Sequence, residues 1–136
     1  MASAINLVCL DVGEKRIGVA VADTGVRIAV PFDTVLVDGG EIESIARIVL
    51  SQDADTLVIG YPRNQSGETT AQTTFVEEFA AKLTDIARHI VFQDESLTSV
   101  IAEQQLIAHK APYTKADIDA QAAAIILQDY VELRYA

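Results

Sequence analysis

Residues 10–23 read LDVGEKRIGVAVAD. An apolar run carries a carboxylate at Asp11, turns through Gly13 and the cations Lys15 and Arg16, and resumes with Ile17, Val19 and Val21 alternating against small residues. This pattern predicts two paired strands, over about residues 5–10 and 16–22. A hairpin requires the glycine but not the aspartate. Asp11, at the carboxyl end of the first strand, therefore reads either as an ordinary turn residue or as a functional carboxylate.

Downstream, residues 26–37 continue the apolar alternation around Pro31, which belongs on an edge strand or at a bulge. Asp38 and Glu41 have capping-box spacing, and Ile42, Ile45, Ala46, Ile48 and Val49 follow at helical intervals, so a helix is expected over about residues 40–51. The run TLVIG (56–60) suits a strand covered on both faces and pairing in parallel with the first. The polar loop YPRNQSGETT (61–70) lies beyond its carboxyl end, where loops often bind ligands. An amphipathic helix through Phe75–Ala87, a strand over residues 89–93 and a helix over residues 100–107 come next. The last helix opens at Thr114, with Asp117 completing a second capping box, and runs through Leu133. Three strands followed by alternating helices and strands predict an α/β fold: a mixed five-stranded sheet, an antiparallel meander extended by parallel strands and flanked by helices. Ligands in such sheets lie at the carboxyl ends of the strands.

The totals narrow the functional classes. A chain of 136 residues, half of them hydrophobic, suffices for one domain spanning residues 1–136. Twenty acidic against ten basic residues give a net charge of -10, which disfavours bulk attraction to polyanions and requires any such binding to be local. The single cysteine, Cys9, falls in the first apolar run and reads as a buried thiol in a reducing cytoplasm. The first charge comes only at Asp11, with no basic leader or membrane span before it, so a cytoplasmic protein without membrane partners is expected.

Asp11, the pair Asp94 and Glu95, and Asp119 fall respectively after the first strand, after the strand at 89–93 and early in the last helix. With the two strands as parallel neighbours, these carboxylates converge. Convergent carboxylates repel one another unless a cation joins them, and oxygen-only donors select hard ions such as Mg²⁺ or Mn²⁺. Asp94 also reads as a helix cap and Asp119 as a solvated helix residue. His89 and His109 lack spaced partners.

LDVGEKRIGVAVAD, VIGYPRNQSG, DESLTS and DIDAQAAAIILQDY, in that order along nearly the whole chain, resemble the four signature blocks of the YqgF family of pre-16S rRNA nucleases, also described as Holliday junction resolvase-like. The resemblance implies a ribonuclease H-like fold and metal-dependent hydrolysis of phosphodiesters in structured nucleic acid, with the 5′ end of pre-16S rRNA favoured over a DNA junction. It carries the catalytic, metal-holding positions onto Asp11, Glu95 and Asp119, and phosphate contacts onto Lys15, Arg16, Arg63 and Asn64. Ser96 stands where the family usually has arginine, and HKAPYTKADID is less basic than the family's corresponding segment. Both departures remove positive charge from the substrate side. Two other readings compete: a nucleotide-binding ATPase, since an Asp-x-Gly hairpin also resembles the phosphate-binding turn of the actin-like superfamily, and a noncatalytic ribosome-assembly factor. Resolving a junction calls for a two-fold homodimer, whereas trimming an RNA does not, so monomer and homodimer both stay open.

Overall fold

A computed structural model describes residues 3–62, 70–95 and 98–135. The elements are β1 (Asn6–Val12), β2 (Arg16–Asp23), β3 (Val30–Leu36), α1 (Glu41–Ser51), β4 (Ala54–Pro62), α2 (Ala71–Ala81), β5 (His89–Glu95), α3 (Thr98–Ala108) and α4 (Lys115–Tyr135). The five strands form one sheet in the order β3-β2-β1-β4-β5. β1, β2 and β3 make the antiparallel meander, while β4 and β5 join parallel to β1.

The expected mixed sheet is present, with two local differences in its first half. Residues 26–29 are not strand: Asp23 Oδ1 accepts from the amides of Gly25 and Val26, and Arg27 adopts φ 64°, so the chain turns before β3 begins. Pro31 does lie on an edge strand, beside a register shift against β2. Asp38 and Glu41 do not cap α1 as a box. Asp38 Oδ1 accepts from Gly40 N and Glu41 Oε1 from Gly39 N, so both side chains are spent on the turn and Gly40 is the N-cap. The box at Thr114 and Asp117 does form, with both reciprocal hydrogen bonds.

Side-chain parity divides the core. Val8, Leu10, Ile17, Val19, Leu57 and Ile59 face one side and are covered by Ile45 and Val49 of α1 and Val76 and Phe79 of α2. α2 stops at Ala81, short of the expected Ala87, because the chain tightens into i→i−3 bonds from Lys82, Leu83 and Ile86, yet Leu83 remains fully buried. Leu7, Cys9, Ala20, Ala22 and Val58 face the other side, against Ala123, Ala124, Ile126, Leu127 and Tyr130 of α4. α3 packs outside α4.

Small residues let α4 approach the sheet closely. A Cβ on Gly18 would collide with the backbone carbonyl of Asp119, so only glycine allows helix backbone to rest on strand backbone at this point. Gly18→Ala should destabilise the protein by about 1–3 kcal/mol, the range for overpacking a close-packed contact. Urea denaturation reads this directly; a variant as stable as the parent would mean that α4 lifts freely at its amino-terminal end.

Candidate active site

The same parity that puts Leu7 and Cys9 under α4 puts Asp11 there, two residues further along β1 and opposite Gly18 of β2. Glu95, at the end of β5, shares the face of Val91, and Asp119 enters from the second turn of α4. The three carboxylates, with Arg16, Gly13, Gly60 and Gln72, line one cleft of about 210 Å³ at the carboxyl ends of the parallel strands.

One expected relation needs correction. β1 and β5 are not neighbours, because β4 lies between them. Glu95 reaches Asp11 across β4 at Gly60, where a Cβ would collide with Glu95 Oε2. Gly60 is thus a site residue that reasoning from carboxylates alone misses. Its signal was the glycine ending the apolar run at 56–60, since a lone strand glycine marks close approach by another group.

The electrostatics follow from burial. Desolvation, then the charge of Asp119, raise the Asp11 pKa from 3.8 to about 6, while a hydrogen bond with Glu95 holds it back. Burial, then the Asp11 charge and the shared hydrogen bond, raise Glu95 from 4.5 to about 8. Near neutral pH the pair therefore retains a proton, with Glu95 as its principal holder. Glu95 Oε2 is buried with no hydrogen-bond partner among the described residues. An unpartnered buried carboxylate oxygen is costly unless a cation or proton satisfies it. Two half-buried carboxylates sharing a proton, with this orphaned oxygen, are a donor set that fits Mg²⁺ or Mn²⁺.

Asp119 is held differently. Arg16 Nε donates to Asp119 Oδ2 at 2.6 Å. Among the described residues no group of three His, Cys, Asp or Glu side chains stands close enough to share one ion. Lys15 is exposed at the hairpin turn and outside the cleft lining, although its carbonyl accepts from Val37 N. Asp94 is exposed on the opposite strand parity and does not line the cleft. Arg63, Asn64 and Ser96 lie outside the described residues, as does most of the loop expected at 61–70. Cys9 is fully buried, and burial together with the Asp11 charge pushes its thiol pKa well up, which suits packing rather than nucleophilic chemistry.

Known proteins share this arrangement of elements. A family model described as "RuvX: Holliday junction resolvase" matches residues 5–133. A protein of Chloroflexus aurantiacus named "Putative pre-16S rRNA nuclease" is 41% identical, over 94% of this chain and 87% of its own length. One of the same name from Synechocystis sp. is 37% identical, over 98% and 91%. Among solved structures, T. thermophilus RuvC in complex with a Holliday junction substrate superposes with a TM-score of 0.56 at 13% identity, covering 96% of each chain. The Fowlpox virus resolvase bound to Holliday junction DNA gives 0.56 at 14% identity, over 95% of this chain and 98% of that one. At such identities the likeness establishes the fold, which is ribonuclease H-like.

Proposed function

Because this chain belongs to the RuvX family, we propose that it is a metal-dependent nuclease that hydrolyses phosphodiester bonds in structured nucleic acid, acting on the 5′ end of pre-16S rRNA in the cytoplasm. The observation that carries this reading is the half-buried Asp11–Glu95 pair, with its orphaned Glu95 Oε2, in one cleft with Asp119. No described helix is long and apolar enough to cross a membrane.

Asp11 and Glu95 would hold the ion, and Asp119 would complete the oxygen set and orient the attacking water. Bound Mg²⁺ or Mn²⁺ would supply Lewis-acid activation of water and charge neutralisation at the scissile phosphate. Gly60 and Gly18 leave the space in which Glu95 and the Asp119 segment meet Asp11. Arg16, which lines the cleft, contacts substrate phosphates together with Lys15, Arg63 and Asn64 and sets register without reading bases. With only these three cations against a net charge of -10, substrate affinity should depend weakly on salt. The expected slope of log K on log[salt] is about −2 to −3, near 0.9 per neutralised phosphate, measurable by fluorescence anisotropy. A slope several-fold steeper would require a basic surface elsewhere.

The family description favours a second substrate, the four-way DNA junction. Purified protein incubated with labelled 16S precursor RNA and, separately, with a DNA junction, in Mg²⁺ or Mn²⁺, tests both. Metal-dependent cleavage of the RNA is the expected result. Cleavage of the junction alone, by a two-fold dimer, would replace it with the resolvase reading. Cleavage of neither would count against a nuclease and favour the nucleotide-binding or assembly-factor readings.

A further inference from the structure

The cleft holds Asp119 by a contact that competes with its proposed role. Arg16 Nε reaches Asp119 Oδ2 at 2.6 Å, the two side chains being 32% and 23% exposed. Both residues line the cleft with Asp11 and Glu95. The Asp119 charge is still felt at Asp11, yet no three carboxylates among the described residues are close enough to share an ion. Arg16 is on β2, two residues before Gly18, over which the Asp119 backbone rests, so the ion pair spans the contact that seats α4.

We propose that Arg16 is a positioning residue that acts through Asp119, its guanidinium holding the Asp119 carboxylate away from the Asp11–Glu95 pair and thereby restraining divalent-cation loading in the free protein. The proposal rests on the metal-site reading above. Its physical basis is competition for one carboxylate: a partly desolvated charge-assisted hydrogen bond must be given up before Asp119 turns to a cation. The restraint gives the guanidinium a function in the absence of nucleic acid, distinct from contacting phosphate.

Mn²⁺ affinity, measured by calorimetry on metal-stripped protein without nucleic acid, tests this through a double-mutant cycle. Arg16→Ala should tighten Mn²⁺ binding on the order of tenfold, since it frees a carboxylate and removes a nearby positive charge. In an Asp119→Asn background the same substitution should change affinity by no more than about twofold, the residue of a screened charge acting alone. Should Arg16→Ala not fold, Arg16→Gln gives the same cycle with a neutral side chain of similar reach. Mn²⁺ binding that requires Asp11 but is weakened by, or indifferent to, the loss of Arg16 overturns the proposal and leaves the metal site standing. An equal tightening in both backgrounds also overturns it, because Arg16 would then act as a bare charge. No Mn²⁺ binding by the parent protein overturns both readings.

Discussion

Asp11→Asn is expected to reduce metal-dependent cleavage on the order of a hundred- to a thousandfold while leaving the protein folded and able to bind nucleic acid. Loss of one preorganised electrostatic group in an active site has effects of this order. Asparagine keeps the shape and one oxygen donor but removes the negative charge, and the remaining carboxylate of the pair does not replace it. No structural penalty is expected, because the Asp11 carboxylate is already disfavoured by burial and by Asp119. The check is single-turnover cleavage of the 16S precursor beside the parent, with anisotropy on the same RNA and a thermal melt. A variant that cleaves at more than a tenth of the parental rate would remove Asp11 from the chemistry; one that neither folds nor binds would assign it a structural role.

Stability of the metal-free protein should fall as pH rises from about 4 to above 8, opposite to the usual behaviour of paired carboxylates. The pKa values of Asp11 and Glu95 are raised in the fold, to about 6 and about 8. The native state therefore binds more protons than the unfolded chain across this window. Their contribution is fully present below the unfolded values near 4 and is lost as pH passes through the two folded values. Each tenfold gain in proton affinity on folding is worth about 1.4 kcal/mol, and the two groups, which share a proton, together account for on the order of 3–5 kcal/mol. That corresponds to a fall in Tm of more than about 10 °C for a domain of this size. Melts in EDTA from pH 5 to 8.5 would show it. Asp11→Asn should flatten the profile, and Mg²⁺ should restore stability at high pH by binding the deprotonated pair. A Tm independent of pH, or one that falls equally in Asp11→Asn, would mean that the carboxylates are solvated rather than buried together.

Legibility from sequence followed the range of the interaction. The hairpin around Asp11 was readable because alternation and a glycine turn are local, and Thr114 with Asp117 because a capping box spans one helical turn. The box at Asp38 misled for the same reason of locality: two glycines give those side chains nearer amides than the helix offers. Strand order was less accessible, since parallel crossovers carry no mark of which strand becomes the neighbour; β4 separates β1 from β5, and the glycine that makes this compatible with an Asp11–Glu95 contact signals close approach without disclosing which group approaches. Arg16 was legible as a cation beside the site, but its partner is 103 residues away, and no local pattern discloses that Asp119 is already engaged.

The central claim is that the Asp11–Glu95 pair is built to hold a divalent cation. An anomalous difference map from crystals soaked in Mn²⁺ tests it most directly. The expected result is a peak roughly 2.1 Å from carboxylate oxygens of both Asp11 and Glu95, near the distance such hard ions adopt with oxygen ligands. A peak confined to surface carboxylates, with the pair still sharing a proton at saturating Mn²⁺ and pH 8, would contradict it.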